Sequence, residues 1–263
     1  MILTIDIGNT TISIGGLEKG SEGDYTVNLS AKMDTIHSRN QKDYLDEMKD
    51  FMEREGVSSS SFDGAVISSV VPCLTRTMQD CACILTGKSP VLITIESDTG
   101  LIVNVPEPNQ VGLDRLVGAA WAGQRFPLPV ITVDMGTATT FNVVDQGRVF
   151  LGGGIAPGLN TGLRALSERT AQLPYISLST PNHVIGRTTT ECMLSGAVMG
   201  AAAMVDGITA RIEAQLGKPV TLVITGGMAG YVEPLCSHSH IYEPDLLSKG
   251  LAFLYERNIG SSY

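Results

Sequence analysis

The chain has 263 residues, 43% of them hydrophobic and 17% charged, the balance of a globular protein with apolar residues enough for one large core or two modest ones. Lys and Arg number 18 against 27 Asp and Glu, giving a formal net charge of −9; this counts against a nucleic-acid or anionic-membrane partner, both of which are held by excess basic charge. The five cysteines, Cys73, Cys81, Cys83, Cys192 and Cys236, are odd in number and lack a framework spacing, and the start shows no basic segment leading into an apolar stretch. Free, mostly buried thiols in a reducing cytoplasm are therefore expected, and no uninterrupted apolar run reaches the roughly 18 residues of a membrane span.

In chain order, Ile2–Ile7, Thr11–Leu17 and Tyr25–Ser30 read as a three-stranded antiparallel meander, with a Gly-Asn turn after Ile7 and a loop from Lys19-Gly20 through Asp24. Tyr44, Leu45, Met48, Phe51 and Met52 recur at helical spacing up to Arg54, and Ala65–Val71 is a short apolar run typical of a buried parallel strand. Pro72 opens a helix to about Leu85, Pro90–Ile95 predicts a strand, and Gly112–Arg125 a helix.

At Val130 the opening pattern returns: a strand ending in Val133-Asp134, a Met135-Gly136-Thr137 turn, a strand Ala138–Val144, a Gln146-Gly147 turn and a strand Val149–Leu151. Helices follow near Pro157–Arg169 and Thr189–Gln215, then a strand Val220–Ile224, the pair Gly226-Gly227 and a C-terminal helix beyond Pro244. Two copies of one β-hairpin module predict two similar α/β domains, residues 1–117 and 118–263, with Pro127 and Pro129 near the start of the second sheet.

The repeated element is Asp-x-Gly plus short polar residues between two strands. Glycine lets backbone N–H groups approach phosphate oxygens, Asn and Thr add hydrogen bonds, and Asp can orient hydrated Mg²⁺. Asp6, Gly8, Asn9, Thr10 and Thr11 thus form one candidate phosphate loop; Asp134, Gly136, Thr137 and Thr139 form a second. A plain hairpin carries the same residue types, since Asn, Gly and Asp are the ordinary turn residues. Gly226 and Gly227, closing a buried strand, supply either an adenosine contact or only a strand-to-helix turn. Gly152-Gly153-Gly154 lacks the Lys-Ser/Thr ending of a Walker loop. Asp114 stands in the first turn of a predicted helix, either as a base for an acceptor hydroxyl or through the preference of Asp for helix N-termini, with Arg115 beside it to bind an acid. His37, His183, His238 and His240 have no catalytic spacing; the last two alternate and read as surface histidines.

Taken together, Asp6-x-Gly8-Asn9-Thr10, Gly112-x-Asp114-Arg115, Asp134-x-Gly136-Thr137-Ala138-Thr139-Thr140, Gly153-Gly154-Ile155-x-Pro157-Gly158, Ala171-Gln172-Leu173-Pro174 and Thr225-Gly226-Gly227 resemble the type III pantothenate kinase family over nearly the whole chain. The resemblance implies the actin/hexokinase-type ATPase fold, with two ribonuclease-H-like domains, mixed sheets flanked by helices and a cleft between. It implies ATP-dependent phosphorylation of pantothenate, the first step towards coenzyme A, by a cytoplasmic homodimer. Asp114 would be the general base; Gly112, Leu113, Arg115 and Val105 would contact pantothenate, joined by Thr189 reaching the neighbouring subunit's site. Asp6 would serve Mg²⁺ and ATP with Asn9 and Thr10, Asp134 would lie by a monovalent cation, K⁺ or NH₄⁺, and Thr137 and Thr139 would face the phosphates. Val105 departs from the aromatic residue that many members carry ahead of the Gly-x-Asp-Arg run, so the pocket wall differs there. A kinase for another small acid or sugar would share the ATP loops and differ at Asp114-Arg115. A chaperone-type ATPase would need a further domain, and a non-enzymatic transcriptional accessory role would have no use for Asp6, Asp114 and Asp134.

Overall fold

The computed structural model describes residues 1–20 and 23–260. Ser21 and Glu22, in the expected loop before Tyr25, lie outside the described residues. The chain forms two compact units. The first comprises residues 1–101, 106–125 and 245–263, and the second residues 102–105 and 126–244.

The first unit is built on strands β1 (Ile2–Ile7), β2 (Thr11–Lys19), β3 (Tyr25–Asp34), β4 (Gly64–Ser69) and β5 (Val91–Leu92), ordered β3-β2-β1-β4-β5. β1 is antiparallel to β2 and parallel to β4. Helices α1 (Gln41–Arg54) and α2 (Pro72–Thr86) cover one face, where Leu3, Ile5 and Ile7 pack with Tyr44, Met48, Leu74 and Met78. Alternation along the strand turns Thr4 and Asp6 to the other face, which α3 (Leu113–Arg125) and α7 (Leu246–Asn258) occupy through Val117, Leu251 and Leu254 against Val66. α1 is N-capped by the Asn40 side chain, which accepts from Asp43 N, and α2 starts on Pro72 and ends on left-handed Gly87.

The second unit repeats the plan. Strands β7 (Val130–Met135), β8 (Ala138–Val144), β9 (Val149–Pro157), β10 (Thr221–Thr225) and β11 (His240–Tyr242) run in the order β9-β8-β7-β10-β11, and β6 (Ile102–Val103) adds to the β9 edge. Again the first strand is antiparallel to the second and parallel to the fourth. α5 (Thr189–Leu216) and α4 (Leu159–Arg169) pack on this sheet, with Val198, Ala202 and Val205 against Ile131, Val133 and Ile224. α6 (Ala229–Val232) follows β10. α5 is long and apolar enough to cross a membrane by length and composition; its apolar residues Met193, Leu194, Val198 and Val205 are buried inside this unit.

Several expectations are revised. The division expected after residue 117 falls inside α3, and the C-terminal helix belongs to the first unit. The cause is packing between α3 and α7: a Cβ at Gly250 would lie 2.6 Å from the Val117 carbonyl oxygen, so only glycine permits that approach. β9 runs past Leu151 to Pro157, because Gly153 lies so close to the Phe141 backbone that a Cβ there would sit 1.8 Å from its oxygen. The strand expected over 90–95 shrinks to Val91–Leu92, and β6 has no counterpart in the sequence reading. The five cysteines are free, but only Cys81 is buried, while Cys73 and Cys192 are exposed. His238 and His240 are half-buried, each against a carboxylate, Glu213 at 3.3 Å and Glu233 at 3.1 Å.

Candidate active site

In the first unit β1 delivers Asp6 to the start of the hairpin loop. Gly8 N donates to Thr11 O at 3.0 Å, which closes the turn around Asn9 and Thr10, both exposed. Thr35, at the end of β3, holds the turn from outside: its hydroxyl donates to Gly8 O at 2.7 Å and its N–H to Thr10 O at 3.0 Å. Those two bonds tie the loop to the end of β3. Nothing in the sequence marked Thr35, which lies in a polar stretch some two dozen positions beyond the loop.

Asp6 is nearly enclosed, with 9% exposure, and pairs in register with Ser13 on β2 and Ser68 on β4. Paired residues of neighbouring strands share a face, so the carboxylate stands between two hydroxyl side chains. Val66, two positions before Ser68, packs with Val117 of α3. This packing carries the first turn of α3, with Leu113, Asp114 and Arg115, towards the sheet face that bears Asp6. A Cβ on Gly112 would lie 2.5 Å from Asp114 Oδ1, so glycine is what lets the carboxylate settle against the helix start. Burial pulls the Arg115 guanidinium below its ordinary value, opposed by the Asp114 charge.

The second unit holds the corresponding parts. Asp134 on β7 pairs in register with Thr140 on β8 and Thr225 on β10. The Gly136-Thr137 turn is held from outside by Gly158 N, 3.1 Å from Thr137 O, and by the Thr161 hydroxyl, 2.7 Å from the same oxygen. Gly158 has no alternative, since a Cβ would sit 2.2 Å from Gly136 O. The sequence carried Gly158 inside a recognised motif without a role; the structure supplies one. Gly226, with φ +101°, brings its backbone so close to Asp134 that a Cβ would lie 2.4 Å from Oδ1, while Gly227 is exposed beside it. Val105 lies over Gly152, its Cγ1 3.5 Å from where a Cβ would stand.

One expectation is corrected here. The two hairpins are not the same length: Gly8 N bonds Thr11 O, whereas Gly136 N bonds Ala138 O at 3.0 Å, one residue sooner. Ile7 pairs with Ile12, and Met135 with Thr139. Thr139 is therefore the counterpart of core Ile12 rather than of Thr11, and at 0% exposure it points inward instead of towards phosphates. Thr189 is exposed as the first residue of α5, which is capped by Thr188, whose hydroxyl accepts from Glu191 N at 3.2 Å.

These residues suit a magnesium nucleotide. Mg²⁺ keeps most of its waters and takes one or two carboxylates plus substrate phosphates, which matches a single Asp6 beside a fixed loop. Among the described residues no group of three or more His, Cys, Asp and Glu could form an all-protein cage. The buried Cys81 thiol is a poor nucleophile: burial, with the Asp80 charge adding, pushes it up to about 11.

The sequence matches the profile of the type III pantothenate kinase family over residues 2–211. It is 37% identical over 257 residues to the type III pantothenate kinase of Thermomicrobium roseum, spanning 98% of this chain and 97% of that one. Among solved structures, a Campylobacter jejuni protein described as a candidate Baf family transcriptional activator aligns with a TM-score of 0.60 at 17% identity, covering 98% of both chains. Component A of the Acidaminococcus fermentans (R)-2-hydroxyglutaryl-CoA dehydratase aligns at 0.50 and 13% identity, over 97% of this chain and 96% of that one. The structural neighbours establish the actin/hexokinase-type ATPase fold, and the sequence matches, running nearly end to end through both aspartate hairpins and the Gly112–Arg115 turn, place this chain in the type III pantothenate kinase family.

Proposed function

We propose that Asp114 accepts the hydroxyl proton of pantothenate in the ATP-dependent phosphorylation that belongs to this family, the first step of coenzyme A biosynthesis. The observation that carries the reading is the placement of Asp114 at the start of α3, on the helix that packs against the sheet face bearing Asp6. The pantothenate hydroxyl attacks the γ-phosphate in line as its proton passes to the Asp114 carboxylate, and the bond from the γ-phosphorus to the bridging oxygen breaks to release ADP. Arg115 meets the pantothenate carboxylate, Gly112 and Leu113 offer backbone at the helix start, and Val105 lines the pantothenate wall. Asn9, Thr10, Thr11 and Thr137 receive the phosphates; Gly226 and Gly227 accommodate the adenosine.

Asp6 would hold Mg²⁺ and Asp134 a monovalent cation, K⁺ or NH₄⁺. When bound, these ions offset phosphate charge. The close Gly226 backbone supports the second assignment, because a weakly hydrated cation readily exchanges water for carbonyl and carboxylate oxygens. A cytoplasmic homodimer fits the same reading. Val184 and Ile185 are 70% and 84% exposed, and α5 leaves Gly196, Gly200 and Ala203 uncovered, an apolar strip beside exposed Thr189 that a second copy would cover.

The test is ADP release with Mg-ATP and potassium, with and without pantothenate, for wild type and Asp114→Asn. Release that depends on pantothenate and falls about a hundredfold or more in the variant supports reaction and residue. Pantothenate-independent turnover would overturn the reading.

A further inference from the structure

Ser68 is fully buried, and its hydroxyl has no hydrogen-bond partner. A core position that needed only volume would take Ala or Val, since an unpaired buried hydroxyl is destabilising. Its neighbours explain the choice. Ser68 stands in register beside Asp6, on the parallel strand and on the same face of the sheet. The second unit repeats the arrangement with a different hydroxyl residue: Thr225, 4% exposed, stands in register beside Asp134 on the parallel strand β10. Each aspartate thus has a buried hydroxyl on its parallel neighbour and a half-buried one, Ser13 or Thr140, on its antiparallel neighbour.

We propose that Ser68 is a positioning residue for Asp6, its hydroxyl turning to donate to the Asp6 carboxylate when that carboxylate takes up hydrated magnesium with the nucleotide. Ser68 has no solvent exposure and so acts through Asp6 rather than by touching ligand. A serine hydroxyl rotates at little cost, and in-register neighbours on adjacent parallel strands stand close enough for a short side chain to reach. The donor fixes which carboxylate oxygen faces the metal-bound water. The inference rests on Asp6 being the magnesium residue.

The test separates stability from metal binding in Ser68→Ala, with Asp6→Asn as reference. Apo stability is read by thermal unfolding, and ATP binding by calorimetry across a series of Mg²⁺ concentrations and in EDTA. The proposal expects Ser68→Ala to unfold at or above the wild-type temperature and to bind ATP in EDTA as wild type does. Its half-saturating Mg²⁺ concentration should rise about tenfold or more, the size of one hydrogen bond to a charged group. A variant whose Mg²⁺ dependence matches wild type within twofold, or one that loses stability and ATP binding equally with and without Mg²⁺, overturns it. If Asp6→Asn itself keeps the wild-type Mg²⁺ dependence, the magnesium assignment of Asp6 fails, and the Ser68 proposal falls with it.

Discussion

Thr139→Val is the sharpest test of the register argument. Sequence alignment of the two hairpins places Thr139 among phosphate-facing residues, but the shorter second loop turns it inward, where its Oγ1 is buried without a partner. Valine has the same branching and nearly the same volume, so the substitution removes the unpaired hydroxyl, adds a methyl in its place and leaves the neighbours unmoved. Leaving a buried hydroxyl unsatisfied costs about 1–3 kcal/mol, so the valine variant should be more stable by about 1 kcal/mol or more once imperfect methyl packing is subtracted. For a chain of this size that is a rise of about 2–4 °C in Tm per kcal/mol. The assay is thermal unfolding of wild type and variant with and without Mg-ATP, together with kcat/KM for ATP. A stabilised variant with unchanged kinetics supports the inward register. A fall of about tenfold or more in kcat/KM, about 1.4 kcal/mol of lost binding, with no gain in Tm would refute it and return Thr139 to the nucleotide.

Other substitutions probe the remaining parts. Gly158→Ala drives a methyl to 2.2 Å from Gly136 O and should displace the second loop, lowering kcat/KM by about a hundredfold, whereas Gly162→Ala in α4, where a Cβ meets nothing within 4 Å, should leave kinetics alone and stabilise by about 0.5–1 kcal/mol, both read by steady-state kinetics and unfolding. Asp114→Asn should abolish most phosphoryl transfer yet retain ATP binding, checked by calorimetry beside the ADP assay. For His240, burial disfavours the charged ring, but the His238 carbonyl and the Glu233 and Asp206 charges outweigh it and the net direction is upward from 6.5. A folded-state value above the unfolded one adds stability that is full below about pH 6.5 and is lost as pH rises through the raised value. Wild type should therefore lose Tm over that window, and His240→Gln should flatten the loss; equal slopes would discard the Glu233 pairing as its source.

The repeated module was legible because its turn residues announce themselves: Gly8-Asn9 and Gly136-Thr137 break two strand patterns at corresponding points, and the shared strand order follows from that. What stayed hidden was set by contacts across the chain. Loop length differs by one residue because of which carbonyl Gly136 N meets, and no residue type between Asp134 and Thr140 encodes that choice. The strand expected to stop at Leu151 continues through Gly152-Gly153-Gly154, where the Phe141 backbone lies against Gly153. The return of α7 to the first unit depends on Gly250 meeting Val117, residues 133 positions apart by subtraction of their numbers. Asp114, Asn9 and Thr10 were expected from the motifs; Thr35 and Thr161, which hold the two loops, were missed because a lone hydroxyl residue carries no pattern.

The two aspartates occupy the same position in their units, and their different surroundings bear on the proposal of Mg²⁺ at one and a monovalent cation at the other. Each ends a strand with one antiparallel and one parallel neighbour, so beyond its carboxyl end the chain turns back on one side and leaves on the other, opening a crevice where ligands bind in open α/β sheets. In the second unit the residue after the parallel hydroxyl is Gly226, where a Cβ would lie 2.4 Å from Asp134 Oδ1; the monovalent cation proposed there would exchange water for protein oxygens. In the first unit the corresponding residue is Ser69, whose Oγ is committed to the next turn, accepting from Val71 N at 3.1 Å. Beside Asp6 the hydroxyl on the parallel strand is Ser68, fully buried. On the proposed reading Ser69→Gly and Gly226→Ala are unequal changes: the first should spare cation dependence, and the second, which drives a methyl against Asp134, should raise the requirement for K⁺.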